Sequence, residues 1–212
     1  MHETEKEALI KVLNKKGITD KNVLKAFMKV DRHLFVPEII KHHAYSDVAL
    51  PIGHEQTISQ PYTVAFMTQA LELKERCKIL EIGTGSGFQA AILVEMGMKV
   101  FSIERNYEIH QKAQKLYDSL GIRAALIYGD GTLGWQESAP YDRIIVTAGG
   151  PEVPKRLLKQ LAVGGKMVIP VGDRKTQTMQ IITKVSDSDF QVKEIPDFKF
   201  VPLIGKEGWK SE

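Results

Sequence analysis

Glu81, Gly83, Gly85, Gly87 and Glu104 are the residues whose types and spacing could hold a nucleoside-like ligand. Four of them lie in Lys78-Ile79-Leu80-Glu81-Ile82-Gly83-Thr84-Gly85-Ser86-Gly87-Phe88, where an apolar run leads into three glycines at alternate positions. The run reads as a buried parallel strand. The glycines read as a tight turn into a helix over 89–96. Glycine suits such a turn because the backbone takes angles a side chain resists and a ligand can approach where no Cβ stands. Two ligand chemistries fit. A dinucleotide would use Gly85-Ser86-Gly87-Phe88-Gln89-Ala90, with Glu104 19 positions after Gly85 for the ribose. S-adenosylmethionine has no pyrophosphate; its pattern is an acidic residue in the strand, Gly-x-Gly-x-Gly, then an acidic residue ending the second strand. Glu81, Gly83, Gly85, Gly87 and Glu104 supply that order, and because the strand ends at Ile82 the turn starts in this second register.

Two further positions could do chemistry. Gly129-Asp130-Gly131 follows a strand over 124–128, where a carboxylate could accept a hydrogen bond from an adenine amine; the alternative is a plain Asp-Gly turn. Ser59 stands in Gln56-Thr57-Ile58-Ser59-Gln60-Pro61-Tyr62. It could cap the next helix, but Pro61 at the first helical position makes Gln60 the cap and leaves Ser59 one residue outside. Glu104, for its part, is either a ribose ligand or a solvated strand end.

The elements that must position these residues alternate. Strands are predicted at 78–82, 99–103, 124–128, 142–147 and 166–171, with helices over 61–73, 89–96, 106–119 and 154–162. That is the pattern of an α/β, doubly wound, mostly parallel sheet covered on both faces. Met179, Ile181, Thr183 and Val185 alternate as a strand, Ser186-Asp187-Ser188-Asp189 is a turn cluster, and Phe190 to Ile195 returns, so a C-terminal antiparallel hairpin joins the sheet edge. Residues 1–50 read as an N-terminal helical cap, with Leu9, Val12 and Leu13 on one helix closed by Gly17 and Val23, Leu24, Phe27 and Val30 on a second entered at Thr19-Asp20. No linker divides cap from core, so residues 1–212 read as one domain, the cap at 1–50 and the cofactor core with its C-terminal segment at 51–212.

Composition bounds the function. A net charge of +3, with no basic run interleaved with aromatics, points away from nucleic acid. The single cysteine, Cys77, permits no intrachain disulfide and points to a reducing, cytoplasmic setting. Neither a membrane span nor a signal peptide is expected. His33, His42, His43, His54 and His110 lack the spacing of a zinc site, so they are expected at surface or cap positions with no metal. Trp135 reads as a packing residue, and Lys206 to Trp209 as a closure of the sheet edge or cleft.

From about the second helix to Trp209 the chain resembles the protein-L-isoaspartate O-methyltransferase family, of Rossmann-like class I methyltransferase fold. The resemblance is carried by Gln56 to Tyr62, Leu80 to Ala91, Gly129 to Gly131, Pro151-Glu152-Val153-Pro154 and Phe200-Val201-Pro202-Leu203-Ile204-Gly205. It implies methyl transfer from S-adenosyl-L-methionine to the α-carboxylate of isoaspartyl residues in damaged proteins and peptides, followed by a succinimide. It implies Ser59 as the active-site residue, and Thr57, Ile58, Glu81, Gly83, Thr84, Gly85, Glu104, Gly129 and Asp130 at the cofactor. Val201, Pro202, Leu203 and Ile204 would meet the substrate peptide, and the protein is expected to be a monomer. Three positions depart from the family pattern: Phe88 for tyrosine, Gly149-Gly150 for alanines, expected to loosen a turn, and His54-Glu55 at the pocket rim. A non-catalytic module gripping unfolded segments through Phe198 to Ile204 is the remaining reading.

Overall fold

The computed structural model describes residues 2–210. The chain runs α1 (Glu3–Lys15), α2 (Lys21–Lys29), β1 (Leu50–Gly53), β2 (Gln56–Ile58), α3 (Pro61–Ala70), β3 (Lys78–Ile82), α4 (Phe88–Glu95), β4 (Lys99–Glu104), α5 (Tyr107–Leu120), β5 (Ala125–Tyr128), β6 (Tyr141–Val146), α6 (Lys155–Gln160), β7 (Leu161–Gly172), β8 (Gln177–Lys184) and β9 (Phe190–Phe198). The main sheet has the order β5-β4-β3-β6-β7-β8-β9. Strands β3 to β7 run parallel to one another, and β8 and β9 are added antiparallel at the β7 edge. The chain walks outward from β3 to β5 and then returns to the other side of β3. The strand order therefore reverses there, and a crevice opens beyond the carboxyl ends of β3, β4 and β6.

The parallel core and the C-terminal hairpin form as the sequence predicts, with shifted ends. The helix expected over 154–162 stops at Gln160, and β7 starts at Leu161, earlier than its predicted 166. Gly164, at φ +77°, and Gly165 let the strand bulge there, so that Tyr141 faces Leu161 while Arg143 faces Lys166. Helix α3 ends at Ala70, before the left-handed Glu72. The hairpin β1–β2 was not expected. Leu50 to Ile58 shows no apolar alternation, and its two-residue turn, His54-Glu55, carries left-handed φ values of 53° and 57° without a glycine.

The cap shares its apolar core with the sheet. Leu13, Ile18, Val23, Phe27 and Phe35 belong to one buried cluster with Ile79, Phe88, Ala90 and Ile92. Phe27 and Phe35 meet the Phe88 ring edge-on at 5.6 and 5.5 Å. Asp20 caps α2 as expected, accepting from Asn22 and Val23 N–H. Val12 departs from its predicted stripe: it is 40 % exposed, and Ile18 fills the space beside Leu13 instead. Cys77 is buried at the foot of β3.

Helix α4 starts at Gly87, which is left-handed at φ +88°. A Cβ there would lie 2.6 Å from the ring of Tyr117 on α5. The Tyr117 hydroxyl donates to the Gly87 carbonyl, so α5 seats the turn that begins α4. Gly87→Ala should lower unfolding free energy by about 2–4 kcal/mol, from backbone strain plus overpacking. Urea denaturation checks this; an unchanged midpoint would contradict it.

Candidate functional site

The turn after β3 places Gly83, Thr84 and Gly85 on the floor of the crevice, with Glu104 to Asn106 after β4 on one side and Thr147-Ala148 after β6 on the other. The β1–β2 hairpin covers it with His54, Gln56, Thr57 and Ile58, followed by Ser59, and Val201 to Ile204 closes the far wall. His54 Nε2 stands 3.1 Å from Glu108 Oε2, so the hairpin tip is tied to the first turn of α5. His54 is thus an exposed residue at the cavity rim, as expected. Among the described residues no cluster of three metal-ligating side chains occurs, and no helix is long and apolar enough to cross a membrane.

Glu104 is the anchor of the floor. It is 6 % exposed; Oε2 accepts from Gly85 N–H at 2.9 Å and Oε1 from Asn106 N–H at 2.9 Å. Each carboxylate oxygen keeps acceptor capacity beyond these bonds. The Asn106 side chain in turn caps α5 through Glu108 and Ile109 N–H. Gly85, at φ +52°, is the open glycine: a Cβ there would meet only Ile52 Cδ1, at 4.0 Å. In the dinucleotide register Gly87 would be the glycine that admits a pyrophosphate. Its Cβ direction is filled by Tyr117 instead, which removes that reading.

Glu81 lies under the floor and does not line the cavity. Its side chain is wholly buried. Ser102 donates to Glu81 Oε2, and the Thr84 hydroxyl completes the chain at 2.6 Å from Ser102 Oγ. Glu81 Oε1 has no partner among the described residues. Burial pushes the Glu81 carboxyl up to about 8, against the Ser102 bond and aided by the Glu104 charge. At neutral pH it therefore holds a proton. Its expected cofactor contact is thus replaced by support of the glycine turn, through Thr84.

Ser59 stands where two clefts meet. A second groove, walled by Tyr62, Thr63 and Ile195 to Val201, shares Thr57, Ser59, Thr147 and Val201 with the first. Gln60 is the N-cap of α3 and makes no side-chain cap bond, with Pro61 at the first helical position, as predicted. Asp47 secures this entry: Oδ1 accepts from Tyr62 N–H at 2.8 Å and Oδ2 from the Gln60 amide at 3.1 Å. No side chain or backbone group among the described residues bonds the Ser59 hydroxyl.

Gly129 and Asp130 stand outside the cavity lining, although Gly131 reaches it. Asp130 Oδ1 accepts from Thr132 N–H and hydroxyl at 2.9 and 2.7 Å, and Oδ2 from Lys206 N–H at 2.7 Å. This carboxylate ties the tail to the turn after β5. The 201–204 segment is hooked to the sheet by Gly149 N–H to the Val201 carbonyl and Leu203 N–H to the Gly149 carbonyl, both 2.8 Å. Trp209 Nε1 also donates to the Gly149 carbonyl, so Lys206 to Trp209 closes this edge as expected. Gly149 and Gly150 do not loosen the turn. Both are buried, and a Cβ on Gly149 would press on Gln177 at 2.9 Å. Thr147 went unremarked in the sequence, although its place at the end of a parallel strand is a usable signal. Its hydroxyl donates to the Gly83 carbonyl at 2.7 Å. Trp135 packs edge-on against Phe101.

The family model for protein-L-isoaspartate(D-aspartate) O-methyltransferase matches residues 4–208. A protein-L-isoaspartate O-methyltransferase of Cytophaga hutchinsonii is 50% identical over 212 residues, covering 100% of this chain and 96% of the relative. A solved protein-L-isoaspartate O-methyltransferase superposes with a TM-score of 0.87 at 30% identity, over 96% of this chain and 67% of that one. A Plasmodium falciparum structure described as a protein-L-isoaspartate O-methyltransferase, in complex with S-adenosyl-L-homocysteine, superposes with a TM-score of 0.81 at 26% identity, over 93% and 97%. The chain belongs to the protein-L-isoaspartate O-methyltransferase family.

The buried Glu81 makes stability depend on pH. Its folded value of about 8 exceeds the ordinary 4.5, so between those values the folded protein holds a proton that the unfolded chain has lost. Stability from this group is full below about 4.5 and falls as pH rises to about 8. Glu81→Gln, which mimics the neutral acid, should melt progressively higher than wild type as pH is raised across that window. A melting-temperature difference that does not change with pH would contradict this.

Proposed function

We propose that this chain transfers the methyl group of S-adenosyl-L-methionine to the α-carboxylate of L-isoaspartyl residues in damaged proteins and peptides, the step that starts their repair through a succinimide. The observation that carries this reading is the position of Ser59. Its hydroxyl has no partner among the described residues and stands where the crevice at the sheet ends meets the groove walled by Ile195 to Val201.

The residues fit the donor. Gly85 lies on the floor and brings no side chain to it, with nothing but Ile52 Cδ1, at 4.0 Å, near the place of a Cβ. Glu104 presents a carboxylate suited to a ribose diol, and Gly83, Thr84, Thr57 and Ile58 complete the walls. When bound, S-adenosyl-L-methionine supplies an electrophilic sulfonium methyl. The chain's own residues then have limited work. A peptide carboxylate has a pKa of about 3.5–4 and is ionised at neutral pH, so no general base is required. Ser59 can donate one neutral hydrogen bond to a carboxylate oxygen and so orient it. A charged donor in its place would hold the nucleophile back. Ile58, Val64, Met67 and Leu203 line the crevice and exclude water. Positioning of this kind supplies on the order of several kcal/mol. Val201, Pro202, Leu203 and Ile204 present the wall along which the peptide lies.

The same reading makes residues 1–212 one domain whose first 50 residues form the cap, supported by the core that cap and sheet share. It makes the protein a monomer of the cytoplasm, supported by two clefts built from one chain and by the free, buried Cys77.

Methyl transfer to an isoaspartyl peptide, with little or none to its normal aspartyl twin, is the expected result of a radiolabel assay. Equal labelling of both would defeat the proposal. Ser59→Ala should lower kcat by roughly 10- to 100-fold with little change in cofactor affinity; near-normal turnover would make Ser59 a structural residue. Glu104→Gln should weaken S-adenosylhomocysteine binding by about 1–3 kcal/mol in calorimetry. Unchanged affinity would remove the ribose role.

A further inference from the structure

Arg32, in the cap, is 1 % exposed. Among the described residues no carboxylate pairs with it directly; Asp47 acts on it only through space. Its Nε donates to the Ala44 carbonyl at 2.8 Å and its Nη2 to the Ser59 carbonyl at 2.9 Å, with the Val48 carbonyl at the 3.5 Å limit. Nη1 has no partner. The guanidinium lies over the face of Phe88, 4.8 Å from the ring centroid, at the start of α4.

Burying such a cation costs free energy that hydrogen bonds to carbonyls only partly offset. An aliphatic side chain would fill the space without that cost. What it could not do is grip carbonyls from separate segments in one planar fork while stacking on an aromatic face. One of those carbonyls belongs to Ser59. Among the described residues the Ser59 hydroxyl has no side-chain or backbone tether, so the position of its backbone decides which points its Oγ can reach. That backbone is held by Arg32 at position 59 and by Asp47 from Gln60 to Tyr62. Both anchors come from the first 50 residues, and Phe88 connects the Arg32 anchor to the helix that follows the glycine turn.

We propose that Arg32 is the positioning residue for Ser59, holding its carbonyl from behind so that its hydroxyl faces the junction of the two clefts. The inference rests on the role of Ser59 given under the proposed function. Arg32 is absent from the walls of both clefts; it reaches the first through the Ser59 carbonyl that it holds and the Phe88 ring that it covers.

A double-mutant cycle tests this, with kcat measured on an isoaspartyl peptide at saturating S-adenosylmethionine and S-adenosylhomocysteine affinity measured by calorimetry. Arg32→Lys keeps the charge and loses the fork. It should lower kcat by about 10-fold or more, because small misplacement of an orienting group is costly, while the cofactor Kd stays within about 2-fold. In the Ser59→Ala background the same change should cost less than about 2-fold, since no hydroxyl remains to be aimed. An equal loss in both backgrounds, or an unchanged kcat for Arg32→Lys alone, would overturn the proposal. Wild-type turnover in Ser59→Ala would instead remove the role of Ser59, and this inference with it. If Arg32→Lys does not fold by circular dichroism, an ester in place of the 59–60 amide weakens the Ser59 carbonyl as an acceptor and leaves Arg32 in place. It should reproduce the fall in kcat in the Ser59 protein, and an unchanged kcat would overturn the proposal.

Discussion

The site depends on one carboxylate, Glu104, bound to two backbone N–H groups from different turns. Gly85 belongs to the turn after β3 and Asn106 to the entry of α5, and Glu104 ends the strand between them. The bonds join the two turns to the strand end, and they leave the carboxylate at the cavity surface with lone pairs to spare. Tyr117 seats the other end of the same turn through Gly87. Beneath it, the Thr84–Ser102–Glu81 chain supplies a third support. The glycine spacing therefore serves two purposes. Gly85 lies on the cavity floor with free space where a Cβ would stand, and Gly87 makes room for an aromatic ring from the next helix.

The cap completes what the sheet begins. A parallel sheet with a reversal of strand order provides a crevice, which is common to many chemistries. The hydroxyl at the junction of crevice and groove is supplied by the segment between β2 and α3, and that segment takes its shape from Arg32 and Asp47. The C-terminal tail provides the opposing wall. Gly149 accepts from Trp209 and exchanges backbone bonds with Val201 and Leu203, so the tail is held as firmly as a strand.

Much of this was legible in the sequence, because the signals were local. The alternation of apolar runs and helices, the alternating glycines and Pro61 after Gln60 each specify their own neighbourhood. What was not legible required tertiary neighbours. Nothing near Glu81 in the sequence shows that Ser102 would cover it and keep it from the cavity. Asp130 looks like a cleft carboxylate until Lys206, 76 residues away, takes one of its oxygens. The β1–β2 hairpin lacks both apolar alternation and a turn glycine, and the Arg32 fork depends on a backbone carbonyl, which any residue possesses.

The central claim is that Ser59 aims a peptide carboxylate across the junction of the two clefts while Glu104 holds the nucleoside on the floor. A crystal structure of the ternary complex with S-adenosylhomocysteine and an isoaspartyl peptide tests it most directly. The expected result is the ribose diol against Glu104 and the α-carboxylate within hydrogen-bond distance of Ser59 Oγ. A nucleoside in another part of the protein, or a carboxylate bound out of reach of Ser59, would contradict the account.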